Sequence, residues 1–162
     1  MILVKLTLIT VGKLKEKYWR EAVKEYEKRL SKYANVSLIE IKDEQEPNNA
    51  SAKDIEIIKN KEAERILSKI KPNQHVVTLE IGGKEHSSES FAKRYNNWKT
   101  QGKSNVVFVI GGSNGIGEDV LKRSNESISF GKMTYPHQMM KVILLEQLFR
   151  VNKILNNEAY HR

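Results

Sequence analysis

Short apolar runs alternate with longer amphipathic stretches along this chain, and this alternation constrains the fold more than any other feature. The runs at residues 3–11 and 106–110 are rich in aliphatic residues, as in strands that are buried on both faces of a sheet. Between the runs, apolar residues recur every three or four positions, which is the period of a helix with one buried face. Strands that alternate with helices predict a parallel α/β sheet with helices on both faces, and 162 residues suit a single domain.

Five strands and five helices are predicted, and serine, proline and glycine residues mark their limits. Ser51 and Ser87 stand where helix N-caps are expected, Pro72 ends the second helix, and Gly82 and Gly83 predict a turn after the third strand. The strands are predicted at residues 3–11, 36–41, 76–81, 106–110 and 126–130. The helices are predicted at residues 15–32, between Ser51 and Pro72, and at residues 89–100, 118–122 and 138–155.

The first and last predicted helices differ in how much of their surface is apolar. The first has one apolar stripe, which includes Tyr18 and Trp19, and its opposite face is basic. The last follows Pro136 and is apolar on most sides, so it must be buried on most sides. Because a domain of this size covers only one face of such a helix, we expect the rest to form a homodimer contact. A deep core helix is the alternative.

The composition excludes several kinds of site. The chain has no Cys, which excludes disulfides, thiolate metal ligands and Cys nucleophiles. No run approaches membrane-spanning length and the N-terminus lacks a signal-peptide cleavage site, so we expect a cytoplasmic protein with no membrane partner.

The charge favours a polyanionic partner, because the formal net charge is +8 and the pI is about 9.5. Residues 1–33 hold nine Lys or Arg against four Glu. A solvated helix face with ion pairs such as Glu16–Arg20 and Glu25–Arg29 explains that segment equally well.

Three loops are expected to meet at one edge of the sheet. Ligands of open parallel sheets bind outside the carboxyl ends of the strands, which selects residues 80–86, 111–117 and 130–136. The glycine-rich segment at 111–117 lacks the ending of a Walker A loop. It matches the Gly-x-x-x-Gly-x-Gly pattern of short-chain dehydrogenases, but it follows the fourth strand, and Tyr135 and Lys141 do not form their Tyr-x-x-x-Lys pair. An NAD(P)-dependent oxidoreductase is one alternative, and a tight turn without a ligand is another.

The histidines and the C-terminal tail allow both structural and chemical interpretations. His75 and His86 are interpreted as surface residues, and His137 as a capping or packing residue in the first turn of the last helix. The chain ends in Tyr160-His161-Arg162, where composition alone favours disorder. An aromatic ring, a titratable ring and a guanidinium nevertheless suit stacking on a base and holding a phosphate.

Four ordered segments resemble one protein family. They are Phe108-Val109-Ile110-Gly111-Gly112-Ser113-Asn114-Gly115, Met133-Thr134-Tyr135-Pro136-His137-Gln138-Met139-Met140-Lys141-Val142, Glu146-Gln147-Leu148-Phe149-Arg150 and Tyr160-His161-Arg162. Together with residues 11–14 and 26–30, they resemble the bacterial large-subunit rRNA pseudouridine N3-methyltransferases, which are small members of the SPOUT class. The family usually has Pro at the position of Ala159 and small residues at those of Met139 and Met140, and none of these positions is assigned to chemistry.

The resemblance implies a deep trefoil knot in the C-terminal part of the sheet and a homodimer whose interface includes the last helix. It also implies that S-adenosylmethionine binds within about residues 75–155, without a metal. The implied cofactor contacts are Leu79, Gly111, Gly112, Phe130, Gly131, Lys132, Met133, Thr134 and Tyr135. They fall on or beside the three loops selected above, where bare backbone can hold adenine and ribose between the apolar side chains of Leu79, Ile110 and Met133.

The implied acceptor is N3 of pseudouridine 1915, in a stem-loop of 23S rRNA on the assembled ribosome. That nitrogen must lose its proton before it attacks a methyl group. We expect His161 to accept the proton, Arg162 or Arg150 to stabilise the anion, and Tyr160 to stack on or orient the base. The residues expected to hold the RNA backbone are Lys13, Lys15, Lys17 and Arg20. A non-enzymatic ribosome-binding protein, suggested by the charge, is a further alternative.

Overall fold

Five parallel strands and five helices alternate in the computed structural model, which describes residues 3–161. The strands are β1 (Val4–Val11), β2 (Ala34–Ile41), β3 (His75–Glu85), β4 (Asn105–Ile110) and β5 (Glu126–Ser129). The helices are α1 (Lys17–Leu30), α2 (Ala52–Leu67), α3 (Ser88–Thr100), α4 (Glu118–Arg123) and α5 (His137–Leu155). The strands form one sheet in the order β2-β1-β4-β3-β5, so the predicted parallel α/β fold is confirmed.

Helices cover both faces of the sheet and enclose two apolar cores. In β1, Leu6 and Leu8 belong to the core beneath α1, α3 and α5, whereas Ile9 and Val11 belong to the core beneath α2 and α4. The side chains of β4 alternate between the two cores in the same way. Burial on both faces explains why β1 and β4 are apolar at successive positions.

Helix α2 begins at a complete capping box, which confirms the predicted role of Ser51. The Ser51 hydroxyl accepts a hydrogen bond from the Asp54 amide at 3.1 Å, and the Asp54 carboxylate accepts one from the Ser51 amide at 2.9 Å. Ser87 caps α3 in the simpler way, through the amide of Ser90 at 3.0 Å.

The turn predicted at Gly82 and Gly83 is wrong, because β3 continues through both residues to Glu85. An irregularity interrupts the pairing with β5, so that Leu79 and Lys84 both pair with Ile128. A Cβ on Gly83 would lie 2.7 Å from the carbonyl carbon of Ile128, whereas a Cβ on Gly82 would meet no atom within 4 Å. Gly83 therefore permits the close approach of two backbones rather than a change of direction.

Gly83→Ala is expected to destabilise the fold by about 1–3 kcal/mol, because the added methyl group must push β3 away from β5. Gly82→Ala is the matched control, and its effect should be within about 0.5 kcal/mol. Urea denaturation of both variants measures the difference. Equal stabilities for the two variants would contradict the close approach.

His75 was predicted to lie at the surface, and that interpretation is wrong. Its side chain is buried under Trp98, and its Nε2 lies 2.8 Å from a carboxylate oxygen of Glu126. Glu126 also accepts two hydrogen bonds from Arg94 and one from the Trp98 indole, at 2.7 to 3.0 Å. The polar group thus joins β3 and β5 to α3.

Helix α5 packs against both α1 and α3 and supplies the largest share of the first core. Pro136 directly precedes its first residue, His137. Met139 and Ile143 are only half-buried and belong to neither core, so part of the apolar surface of α5 is left uncovered. No helix within residues 3–161 combines the length and hydropathy needed to cross a membrane.

Candidate functional site

The carboxyl ends of three neighbouring strands meet at one edge of the sheet. Leu79 of β3 pairs with Ile110 of β4 on one side and with Ile128 of β5 on the other. Gly111 follows Ile110 directly, and Phe130 lies two residues after Ile128. The register therefore brings three of the segments predicted to bind the cofactor to the same edge.

A cavity of about 280 Å³ lies between the end of β3, the start of α3, the end of β5 and α5. Its lining comprises Glu85, His86, Ser87, Ser88, Phe91, Ile128, Ser129, Phe130, Gly131 and Gln147. Of the predicted cofactor residues, Phe130 and Gly131 line this cavity. Gly131 has a φ of 106°, and no atom lies within 4 Å of where its Cβ would be, so the wall is bare backbone at this point.

The other predicted cofactor residues lie around this cavity without lining it. Leu79 is half-buried and packs against the first core. Gly111 lies inside its own loop, where a Cβ would be 2.8 Å from the Ile116 side chain. Gly112 lines a second cavity, described below. The remaining predicted cofactor residues are exposed and line neither cavity: Lys132, Met133, Thr134 and Tyr135. Met133 is 76% exposed.

Several lining residues were not identified from the sequence as ligand contacts. His86, interpreted as a surface residue, is half-buried, and its Nδ1 lies 2.9 Å from the Ser90 hydroxyl. Burial lowers the pKa of His86. The Ser88 hydroxyl donates to the Gln147 side chain at 2.8 Å, which joins α3 to α5 beside the cavity. Of these missed residues, the sequence pointed only to Glu85 and His86 as part of a ligand site, because both fall at the end of the loop selected at residues 80–86.

Composition alone favours disorder at the C-terminal end, but Tyr160 and His161 both contact side chains of α5 in the structure. The Tyr160 ring meets the Phe149 ring edge-on at 4.9 Å between centroids. The Arg150 guanidinium lies 4.7 Å from the centre of the Tyr160 ring, in cation–π contact. Arg162, predicted to stabilise an anion, lies outside the described residues.

His161 lies between a cation and an anion. Its Nδ1 is 3.1 Å from Nη1 of Arg150, and its Nε2 is 2.6 Å from a carboxylate oxygen of Glu89. Because arginine can only donate, Nδ1 accepts the hydrogen bond, which makes Nε2 the donor to Glu89. The hydrogen bond from His161 lowers the pKa of Glu89. Glu89 directly follows Ser87 and Ser88, so the imidazole is held at the border of the cavity.

Arg150 is oriented by a second carboxylate. Its Nε donates to Glu146 at 2.8 Å, and its Nη2 lies 2.7 Å from the same oxygen. The guanidinium is therefore paired on one side and in contact with Tyr160 and His161 on the other. The structure brings together three of the four predicted catalytic residues: Arg150, Tyr160 and His161.

A second cavity, of about 400 Å³, lies at the same edge of the sheet near the ends of β1 and β2. Its lining is acidic, with Asp43, Glu44, Glu46 and Glu62 among the residues, and burial raises the pKa of Glu62. His137 also lines it and is half-buried, as expected for a packing residue. Its pKa is lowered by burial and by the nearby Lys141 ammonium.

Lys141 holds the first turns of α5 against the end of β1. Its side chain is fully buried, with Nζ 3.4 Å from the Gly12 carbonyl oxygen and 3.3 Å from a carboxylate oxygen of Glu40. Burial lowers the pKa of Lys141, and Glu40 opposes this effect. The contact fixes where the 130–136 loop enters α5.

The predicted RNA-binding residues lie on the loop before α1 and on its first turn. Lys13, Lys15, Lys17 and Arg20 are all exposed. Arg20 does not pair with Glu16 as the sequence suggested; its guanidinium donates to the carbonyl oxygens of Leu14 and Lys15. The other suggested pair, Glu25–Arg29, is present at 3.1 Å. No group of three His, Asp or Glu side chains within residues 3–161 is arranged to hold a metal ion.

Comparison with known families assigns this chain to a class of enzyme. Residues 4–161 match the family described as "Predicted SPOUT methyltransferase". The chain therefore belongs to the SPOUT methyltransferase family, and its class is that of a methyltransferase. The knot expected of this class stays a prediction.

A solved structure supports the fold assignment. It is described as a probable methylase family protein from Haemophilus influenzae Rd KW20. It matches 98% of this chain and 70% of its own length, with a TM-score of 0.52 and 10% sequence identity. At that identity the similarity shows the fold alone.

Proposed function

We propose that this protein is an S-adenosylmethionine-dependent rRNA methyltransferase that methylates N3 of pseudouridine 1915 in 23S rRNA. It acts on the assembled ribosome in the cytoplasm, as a homodimer. The observation that carries the proposal is the position of His161, held between Arg150 and Glu89 at the border of the cavity. The resemblance of the four sequence segments supports the choice of nucleoside.

The cavity has features that suit the methyl donor. Phe91, Ile128 and Phe130 offer apolar surface for an adenine, and the bare backbone at Gly131 leaves room for close approach. The carboxylate of Glu85 is an acidic group suited to a sulfonium cation. When bound, S-adenosylmethionine supplies an electrophilic methyl group. Phe130 and Gly131 would hold it.

The tail supplies groups suited to the acceptor. N3 of the base loses its proton as it attacks, and a neutral imidazole can take that proton. In the structure Nδ1 of His161 is the nitrogen that carries a lone pair, and it faces Arg150. Displacement of Arg150 toward the developing anion of the base would free this lone pair and stabilise the anion in one movement. Tyr160, in contact with Arg150, would orient the base.

The surface offers support for the RNA and the second protomer. The exposed Lys13, Lys15 and Lys17 lie before and on the first turn of α1, at the end of β1 that faces the same edge as the cavity. The half-buried Met139 and Ile143 on α5 offer an apolar surface for a second copy of the chain.

The test is transfer of a labelled methyl group to ribosomes that lack the modification, with mass mapping of the product nucleoside. We expect label at N3 of pseudouridine 1915 and none with free 23S rRNA. Calorimetry with S-adenosylmethionine and with NADPH runs alongside. Binding of NADPH alone would favour the oxidoreductase alternative, and ribosome binding without cofactor binding would favour the non-enzymatic one.

A further inference from the structure

Tyr18 is exposed, although the sequence pattern predicts a core residue at this position. The sequence pattern assigns it to the apolar stripe of α1, yet its side chain is 63% exposed, whereas Val23 and Leu30 of the same stripe are buried. Its ring lies 5.2 Å from the half-buried Trp19 ring, which supports it from one side. Helix α1 therefore presents an aromatic ring to solvent beside a second, half-buried ring.

The sequence segment that precedes Tyr18 is mostly basic and is tied to neighbouring elements. Lys13, Lys15 and Lys17 are exposed within five residues of it in the sequence. The loop that carries the first two is tied to α1 by Arg20, and to β2 by the Leu14 amide, which donates to Glu40 at 2.8 Å. Lys17 lies 3.7 Å from Glu21, in an ion pair whose two side chains are both well exposed, so its charge stays available to a stronger anion.

We propose that Tyr18 is a stacking platform for an unpaired base of the RNA substrate, with the surrounding lysines holding the adjoining phosphates. An exposed aromatic ring beside a basic loop is the combination that single-stranded nucleic acid requires, because every base has a π-face and every linkage an anion. The charge of the patch favours RNA over an apolar protein surface. The inference rests on the proposed RNA substrate, but it concerns binding and not methyl transfer.

The test is the affinity for a fluorescein-labelled, unstructured RNA of about ten nucleotides, measured across a range of salt concentrations. Tyr18→Ala should weaken binding about tenfold and leave the slope of log K against log[salt] unchanged, because stacking releases no counterions. Lys17→Ala should instead reduce that slope by about 0.7. Tyr18→Phe, which keeps the ring, should bind within about twofold of the parent protein.

Trp19 gives an independent readout, since a base stacked on Tyr18 should quench its emission while the buried Trp98 stays unaffected. Unchanged affinity of Tyr18→Ala, or a loss shared equally by Tyr18→Phe, would overturn the platform. A change of oligomeric state in Tyr18→Ala would also overturn it, by placing the ring in a contact between copies. If the parent protein modifies ribosomes while Tyr18→Ala binds RNA normally, only this inference fails; if stacking holds without methyl transfer, only the proposed reaction fails.

Discussion

His161→Ala is expected to lower single-turnover methyl transfer to ribosomes by about 100-fold to 10,000-fold, the range typical of a lost general base. The affinity for S-adenosylmethionine should change little, because His161 contacts Arg150 and Glu89 and is not part of the cavity lining. Removal of residues 160–162 should abolish turnover with the same small effect on cofactor binding. Rapid-quench assays with labelled cofactor and calorimetry measure the two quantities separately.

Glu89→Gln gives a graded version of this experiment. The amide still accepts the hydrogen bond from Nε2 of His161 but carries no charge, so we expect a loss of about tenfold. Glu118→Gln is the control, because it removes an exposed carboxylate that pairs with Lys122, a residue with no proposed role in the site. Full activity in the protein without residues 160–162 would refute the role of the tail.

Glu126→Gln is expected to destabilise the fold by about 3 kcal/mol, because it removes the charge of Glu126, whose side chain is 17% exposed, and leaves the partly exposed Arg94 without its charged partner. Burial alone would raise the pKa of Glu126, but the hydrogen bonds from Arg94, His75 and Trp98 outweigh it and lower that pKa to about 2. Burial also lowers the pKa of His75, so the ring is neutral at pH 7 and the ion pair is that between Arg94 and Glu126.

The same carboxylate predicts how stability depends on pH. Its pKa is lower in the folded protein than the value of 4.5 expected for an unfolded chain, so the stabilisation is fully present above pH 4.5. It is lost as the pH falls from 4.5 toward 2, and the loss amounts to about 3 kcal/mol.

Urea denaturation at several pH values measures this contribution. Glu126→Gln should show a smaller fall of stability in the acid range than the parent protein. Glu118→Gln removes an equivalent pair with Lys122 at the surface, and should cost less than about 1 kcal/mol. Parallel pH profiles for the parent protein and Glu126→Gln would contradict the lowered pKa.

The alternation of elements was predictable because each strand and helix carries its own local signal. The aliphatic residues of β1 and β4 indicate burial on both faces of the sheet. Ser51 followed by Asp54 indicates the start of α2. The sheet edge that carries the ligand loops followed from the parallel arrangement alone. These inferences needed no knowledge of which residues meet across the fold.

The incorrect predictions concern residues whose environment is not local, since each depends on a partner distant in sequence. His75 is buried because Glu126, fifty-one residues later, supplies a hydrogen bond. Gly83 permits close contact with the backbone of Ile128, and no residue close to Gly83 in the sequence indicates this contact. Tyr18 fits the helical period of the apolar stripe, but no element of the described chain covers it. Similarly, Tyr160 and His161 are held by Phe149 and Glu89, two residues that composition could not connect to them.

The order of the strands and α5 along the sequence has a consequence for how the first core forms. The ribosome synthesises all five strands before this helix, yet Leu144, Leu145 and Leu148 fill the centre of the core that Leu6 and Phe108 share. Until α5 emerges from the exit tunnel, only α1 and α3 cover that face of the sheet. The first core is therefore expected to be completed only once α5 packs against α1 and α3.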